Sequence, residues 1–184
     1  MNHAWYPNLP YSPLFPIIFE KEKKRILKQI KNAIIEHIGS TSIPNLSGKG
    51  YIDLIISVPK KEMKVAKETL ETKLGYEYKK DVSIKDERLF FKKITPSKYS
   101  KETFYHLHLT YFDSNDFKQA ISFRDFLASN PEYIKKYSSI KKEASKEAKS
   151  AKTRKEARKI YKKIKDPLIK EILYKSLRNK KYFS

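Results

Sequence analysis

The chain has 184 residues and a formal net charge of +20, from 41 Lys or Arg against 21 Asp or Glu. It has no cysteine, which excludes disulfide bridges, thiolate zinc sites and cysteine nucleophiles. A length of this order fits one domain, and a hydrophobic fraction of 39% is enough for an ordinary core. No apolar run approaches the roughly 20 residues that span a bilayer, and no signal-peptide pattern opens the chain, so we expect a cytoplasmic protein without a membrane partner.

The first 60 residues predict an extended segment, one helix and two strands. Residues 1–16 contain four prolines and favour an extended path. Apolar residues at near-helical spacing predict a helix from about Ile17 to Ile35. Glu36–Ile38 favours a short strand that runs into a Gly-Ser turn. Tyr51–Val58 is a β-rich run with the length of a buried strand.

The middle of the chain predicts a second helix and three further strands. Lys60–Leu74 is an amphipathic helix that Gly75 ends in the usual C′ position. The strand candidates are Tyr76–Tyr78, Leu89–Ile94 and Phe104–Tyr111. In the last of these, alternation places His106 and His108 on one face.

The C-terminal third predicts helix and carries most of the positive charge. Helix is expected from Asp116 almost to the end, with breaks near Asn130-Pro131 and Asp166-Pro167. Residues 135–184 contain 19 Lys or Arg and 5 Asp or Glu, and six basic residues recur there at i, i+4 spacing: Arg154, Lys155, Arg158, Lys159, Lys162 and Lys163. Such a surface favours RNA, with Tyr161 placed to stack on a base. The alternative is a solvated helix in a chain that is rich in lysine throughout.

These elements predict an α+β fold, in which a small mixed β-sheet packs against helices and a helical extension follows at the C-terminus. No internal repeat is visible. We expect residues 1–130 to form one domain and residues 131–184 to form a basic helical region packed on it.

A Gly-Ser turn followed by a carboxylate on a strand is the first constellation that points to chemistry. Gly39-Ser40 tolerates a tight backbone path, and its N–H and hydroxyl groups are able to face a phosphate. Asp53 lies near the start of the next strand and interrupts an otherwise apolar run. Phosphoryl and nucleotidyl transfer need such a turn together with carboxylates that hold Mg²⁺. The alternative is an ordinary turn, with Asp53 as the cap of a loop.

The segment around this turn resembles the signature of a known family. Residues 35–54, with His37-Ile38-Gly39-Ser40-Thr41 and Asp53, closely resemble the signature of the GrpB (UPF0157) family, which is assigned to the nucleotidyltransferase superfamily. The likeness covers nearly the whole chain through further segments: Arg88-Leu89-Phe90, His106-Leu107-His108-Leu109, Phe123-Arg124-Asp125-Phe126-Leu127 and Tyr161–Ile172. It implies a nucleotidyltransferase-like fold.

The resemblance also implies roles for individual residues. Asp53 and Ser40 are the expected catalytic residues. The expected ligands of the substrate and its phosphates are Gly39, Ser40, Thr41, Lys49, Arg88 and Arg124. Arginine grips phosphate bidentately, whereas lysine offers a mobile point charge. For Arg124 an internal ion pair with a carboxylate is an equal alternative, since Asp125 stands beside it.

The metal chemistry departs from the pattern of the superfamily. Nucleotidyltransferases usually place a second acidic residue two positions after the first, and here Ile55 stands at that position. A divalent ion, Mg²⁺ or Mn²⁺, is still the expected cofactor, with its ligands taken from Asp53, His37, His106 and His108. Zn²⁺ is an alternative because imidazole suits it. Otherwise each histidine hydrogen-bonds the Gly-Ser loop or a neighbouring strand.

The sequence leaves two classes of function open. The leading one is an enzyme, a nucleotidyltransferase that binds a nucleoside triphosphate and a divalent ion and transfers a nucleotidyl group to an unknown acceptor. The other is a non-catalytic or repurposed binder, in which the same pocket holds a phosphorylated ligand or the basic helices hold RNA. The missing second carboxylate is the best support for the binder.

Overall fold

A five-stranded mixed sheet forms the centre of the fold in the computed structural model, which describes residues 6–85, 87–97 and 101–178. The strands are β1 (Ile34–Ile38), β2 (Ile52–Val58), β3 (Glu77–Tyr78), β4 (Leu89–Pro96) and β5 (Glu102–Tyr111). Their order across the sheet is β1-β2-β5-β4-β3, with β2 and β5 parallel and the other three pairs antiparallel. All five strand candidates are therefore present.

In the described part of the chain five α-helices accompany the sheet, which confirms the predicted α+β class. They are α1 (Leu14–Leu27), α2 (Met63–Thr72), α3 (Asn115–Ser129), α4 (Pro131–Glu147) and α5 (Arg154–Arg178). Among the residues that the structure describes, no helix is both long and apolar enough to cross a membrane. The first five residues of the predicted extended segment and the last six of the predicted basic region lie outside the described part.

The first helix is shorter than its predicted span of residues 17–35. It ends at Leu27, and the chain turns through residues 28–33 before β1 begins. Burial alternates along β1 as expected for a strand: Ile35 is 2% exposed, whereas Ile34 is 49% exposed. Two adjacent β-branched residues suit a half-buried strand better than the last turn of a helix.

One of the two predicted helix breaks is wrong. The break at Asn130-Pro131 is confirmed, with the proline in the first turn of α4. However, α5 continues through Pro167, although proline lacks the N–H group of a helix bond. Leu168 follows directly and is buried in a cluster with residues of α3 and α4, which offsets the missing bond. The chain turns instead at residues 148–153.

The two faces of the sheet have different surroundings. One face packs with α1 and α2 around an apolar core that includes Leu54, Ile56, Leu70, Phe91, Leu107 and Leu109. Directly paired residues of neighbouring strands point to the same side of a sheet. Ile38, Asp53, His106 and Lys92 are paired in turn across β1, β2, β5 and β4, so they share the other face.

A second core joins the loop between β1 and β2 to the C-terminal helices. Ile43 and Leu46 of this loop are 1% and 2% exposed. They pack with side chains of α3, α4 and α5, namely Phe126, Leu127, Tyr137, Leu168 and Ile172. This contact holds α4 and α5 beside the turn that follows β1.

Gly39 forms the turn that follows β1. Its φ of 72° and ψ of −169° fall in a region that essentially only glycine adopts. A Cβ atom here would stand 2.3 Å from Oδ2 of Asp53, far inside van der Waals contact. The turn therefore needs glycine both for its backbone and for the close approach of Asp53.

The substitution Gly39→Ala should lower the free energy of unfolding by about 3 kcal/mol or more, because backbone strain and the clash with Asp53 act together. Gly75→Ala is the matched control: φ is 66° there, but an added Cβ would meet nothing within 4 Å. Only a backbone cost of about 1 kcal/mol then applies. Urea denaturation measures both losses, and equal losses would contradict the steric part of this account.

Candidate functional site

Asp53 and His106 form the central pair of the candidate site. They are paired residues on the parallel strands β2 and β5, and Oδ1 of Asp53 lies 3.1 Å from Nδ1 of His106. Burial opposes ionisation of Asp53, but the hydrogen bond from His106 and the positive charges nearby outweigh it and hold the pKa of Asp53 below its ordinary 3.8. An ionised carboxylate only accepts, so Nδ1 of His106 donates this hydrogen bond.

One of the four predicted metal ligands, His37, lies away from the other three. His37 is paired with the buried Leu54, which places it on the face opposite to Asp53. Its ring stacks on Phe19 with 4.5 Å between ring centroids. Burial lowers the pKa of His37 to about 4, so it is neutral at physiological pH.

The donors that remain beside Asp53 do not fit a divalent ion held by the protein. His108 shares the face of Asp53, and burial together with the charge of Arg88 lowers the pKa of His108 to about 4. Ile55 supplies no second carboxylate, and one oxygen of Asp53 is already bonded to His106. Within the described ranges, no group of three or more His, Asp or Glu is arranged to hold a metal.

Thr41 lies inside the loop rather than at a surface open to a ligand. It is 1% exposed, and its Oγ1 donates to the carbonyl oxygen of Tyr51 at 2.8 Å. Oγ1 of Thr41 also lies 3.0 Å from Nε2 of His37 and accepts a hydrogen bond from it. These two bonds tie β1 to the start of β2, which is a structural role.

Ser40 is the hydroxyl residue of this turn whose side chain is left without a hydrogen bond among the described residues. The neighbouring Ser42 donates to the carbonyl oxygen of Gly39 at 2.7 Å. Ser40 makes no side-chain hydrogen bond within the described part of the chain. Its Oγ faces Gly48, where a Cβ atom would stand 2.1 Å away. Gly48 therefore leaves room for the Ser40 hydroxyl.

The two predicted arginines lie in different places. Arg124 is 2.6 Å from a carboxylate oxygen of Glu36 and 2.7 Å from one of Asp125, which is the internal ion pair of the alternative prediction. Arg88 lines an open cleft, 3.5 Å from Asp116. Its Nε is buried and has no hydrogen-bond partner among the described residues.

This cleft, of about 600 Å³, lies between the face of Asp53 and the start of α5. His106, His108, Tyr51 and Phe90 line it on the side of the sheet. Seven cations surround it, namely Lys49, Lys79, Arg88, Lys92, Arg154, Lys155 and Arg158, whereas Asp81 is the one acidic residue in its lining. The excess of positive charge suits a polyanion.

Two further lysines, neither of which was predicted as a site residue, lie on the helices beside this turn. Lys141 on α4 is 3% exposed, and its Nζ donates to the carbonyl oxygen of Ser47. A Cβ atom on Gly48 would meet this Nζ at 3.3 Å as well as Oγ of Ser40, so the ammonium and the hydroxyl are neighbours. Lys165 on α5 lies 4.8 Å from the ring centroid of Tyr161.

The pKa values of these lysines are lowered, and no carboxylate forms a salt bridge with them among the described residues. Burial and the charge of Lys165 lower the pKa of Lys141 to about 7, and burial and the charge of Lys49 lower that of Lys165 to about 8. Burial also lowers the pKa of Lys49. Within the described ranges, none of the three makes a salt bridge. Aromatic rings contact these lysines instead: the Nζ atoms of Lys141 and Lys165 lie 4.9 and 5.9 Å from the ring centroid of Tyr137.

The sequence around Lys141 and Lys165 contains a pattern that marks both lysines as inward-facing. Each follows a buried tyrosine by four residues and precedes a buried aliphatic residue by three, as Tyr137-Lys141-Ala144 and Tyr161-Lys165-Leu168. This spacing puts a lysine on the inner stripe of its helix instead of the solvated one.

The N-terminal segment covers Lys49. Leu9 and Gly48 exchange two backbone hydrogen bonds of 2.6 and 2.9 Å. The ring of Tyr6 stacks on Tyr161 with 4.3 Å between centroids. Nζ of Lys49 lies 5.2 Å from the centroid of Tyr6 and 4.8 Å from that of Tyr51, so it is held between two rings.

Comparison with known proteins assigns the chain to a family. The family model described as GrpB protein matches residues 9–175. A UPF0157 protein of Vibrio cholerae is 28% identical over 140 residues, which are 76% of this chain and 70% of that protein. The crystal structure of the conserved protein GrpB from Enterococcus faecalis superposes with a TM-score of 0.76 at 28% identity and covers 97% of this chain and 100% of the other.

A more distant likeness identifies the fold. The Cid1 poly(U) polymerase in its MgGTP-bound structure has a TM-score of 0.51 at 14% identity, over 75% of this chain and 44% of the polymerase. At this level of identity the likeness concerns the fold alone, which is that of a nucleotidyltransferase. The chain therefore belongs to the GrpB family and has a nucleotidyltransferase-like fold.

Proposed function

We propose that the site binds the polyphosphate of a nucleoside triphosphate and that the protein transfers the nucleotidyl group to an acceptor. The observation that carries this proposal is a lysine cluster without a salt bridge to a carboxylate among the described residues: the buried Lys141 lies next to Ser40, and the half-buried Lys165 shares the ring of Tyr137 with it. Lys49 acts on both through its charge. Buried cations are normally paired, because an unpaired buried charge costs several kcal/mol. An anionic ligand supplies the missing partner.

The surroundings of Ser40 suit the phosphates of such a ligand. The Ser40 hydroxyl makes no hydrogen bond within the described part of the chain, and the Nζ of Lys141 lies next to it. Arg88 adds a planar guanidinium on the wall of the cleft, which matches the oxygens of a phosphate. Thr41 and Arg124 are not part of this proposal, since each is occupied by bonds inside the protein.

Asp53 and His106 supply the acid–base chemistry that transfer requires. An acceptor hydroxyl or amine attacks the α-phosphorus, the bond to the bridging oxygen breaks, and pyrophosphate leaves. The proton of the acceptor has to be removed. In this proposal Nε2 of His106 takes it, while Asp53 holds the ring through Nδ1. We assign no step to a divalent ion, because the donors around Asp53 do not fit one.

The Cid1 structure bound to MgGTP supports a nucleotide as the ligand, through the shared fold. In that polymerase the nucleotide is a triphosphate, and the basic cleft suits a polyanion of this kind. The identity of the base and of the acceptor is left to experiment in this proposal.

The substitution Asp53→Asn should abolish nucleotidyl transfer, because the amide cannot hold His106 in the same protonation state. It should leave ATP affinity equal or higher, because it removes a negative charge from a site for anions. Asp113→Asn is the matched control, with a carboxylate that is 90% exposed. Pyrophosphate release and calorimetric ATP binding measure the two effects. Full transfer activity in Asp53→Asn would contradict the assignment.

RNA binding along the rim of the cleft is the second candidate function. The observation that favours it is the position of Arg154, Lys155 and Arg158, which are exposed on α5 and line the same cleft. The rings of Tyr51 and Phe104 stack nearby at 5.2 Å between centroids and offer an aromatic surface for a base.

The substitution Arg158→Gln should weaken RNA binding and reduce the slope of log affinity against log salt by about 1, as for one lost phosphate contact. Lys170→Gln is the control, since it removes an exposed cation from α5 away from the cleft. Fluorescence anisotropy with a labelled single-stranded RNA over a salt series measures both slopes. Absence of RNA binding at low salt would rule out this second function.

A further inference from the structure

We propose that the site binds polyphosphate without a divalent cation, because Lys49, Lys141 and Lys165 supply the charge that a metal ion would otherwise supply. This inference rests on the proposed function and specifies its chemistry. The proposed ligand is a polyphosphate chain, and the lysine ammonium groups bind it directly.

The first step of the argument is the set of donors. Mg²⁺ and Mn²⁺ need several oxygen ligands, of which the protein usually gives at least one or two carboxylates. Here Oδ1 of Asp53 is bonded to His106 at 3.1 Å, and Glu36 of β1, which shares this face of the sheet, is bonded to Arg124 at 2.6 Å. Oδ2 of Asp53 lies against Gly39, where an added Cβ would stand 2.3 Å from it. One of the two oxygens of Asp53 is therefore already shared with His106, and no second carboxylate stands at position 55 to complete a metal site.

The second step is the arrangement of the cations. Lys49 comes from the loop before β2, Lys141 from α4 and Lys165 from α5, so three separate elements deliver one ammonium group each. Each is fixed over one or more tyrosine rings at 4.8 to 5.9 Å from the centroid. A divalent ion beside Asp53 would be repelled by all of them, whereas a polyphosphate would be attracted.

The third step is the change in protonation of Lys141 and Lys165 on binding. With pKa values of about 7 and about 8, Lys141 and Lys165 are partly deprotonated at pH 8. A bound polyanion raises both pKa values, so binding takes up protons and weakens as the pH rises from 7 to 9. The charged and titratable groups that act on the two lysines are Lys49, Asp53, Tyr137, Tyr161, Lys162 and Asp166. Asp53 and Asp166 oppose the shift, and burial outweighs them.

Isothermal titration calorimetry of the full chain with ATP tests the inference. Titrations at pH 8 are run in EDTA and in MgCl₂, each in two buffers of different ionisation enthalpy, so that proton uptake is measured directly. Sodium tripolyphosphate is the second probe, because it isolates the phosphates from the base. The variants are Lys141→Met and Lys165→Met, and the control is Lys142→Met, which removes an exposed charge from the same helix as Lys141.

The expected result is that ATP and tripolyphosphate bind in EDTA within about twofold of their affinity in MgCl₂, with net proton uptake. Each of Lys141→Met and Lys165→Met should weaken binding about tenfold and reduce the proton uptake, as for one lost charged hydrogen bond. Lys142→Met should stay within about twofold of the parent.

Binding that requires MgCl₂ would overturn this inference and leave the proposed function standing. Binding in EDTA that is unchanged in both Lys141→Met and Lys165→Met would overturn it as well. If neither probe binds under either condition, the proposed function itself fails. Should one variant not fold, the other carries the same comparison, since the two lysines lie on different helices.

Discussion

The docking of the loop between β1 and β2 onto the C-terminal helices is the contact on which the candidate site depends. Ile43 and Leu46 are almost completely buried against α3, α4 and α5. Burial of two such side chains contributes about 3 to 6 kcal/mol, so the loop has one position relative to the helices. That position brings the carbonyl of Ser47 to the ammonium of Lys141 and places Ser40 next to it. The sheet and the helices thereby contribute to the same site.

The chemistry of the site follows from an imbalance of charge that folding creates. The sheet contributes one carboxylate and two histidines, while the loop and the helices contribute lysines. Tyrosine rings stabilise those lysines in place of carboxylates, through the attraction of a cation to the face of a ring. This attraction is weaker than a buried ion pair, so the lysines remain ready to bind an anion. The same imbalance makes the site a poor place for a divalent cation.

The local part of the site could be predicted from the sequence, and the part that depends on strand pairing could not. The Gly39 turn and the strand of Asp53 are encoded by adjacent residues, and alternation in β5 placed His106 and His108 together. His37 was grouped with them, because its side of the sheet depends on the register of β1 against β2. That register puts His37 opposite Leu54 and not on the face of Asp53.

The helical part of the site was harder to predict for a different reason. Lys141 and Lys165 occur in stretches crowded with lysine, where a solvated face is the ordinary interpretation. Only their spacing from Tyr137 and Tyr161 marks them as inward-facing. Their meeting with Ser40 depends on the packing of three helices against a loop that is distant in sequence.

Nucleotide binding at this junction is the central claim, and a crystal structure with a non-hydrolysable ATP analogue tests it most directly. The account predicts density for the triphosphate between Oγ of Ser40 and the ammonium groups of Lys49, Lys141 and Lys165. Density for the analogue at another surface would contradict it, as would an empty junction at a saturating concentration.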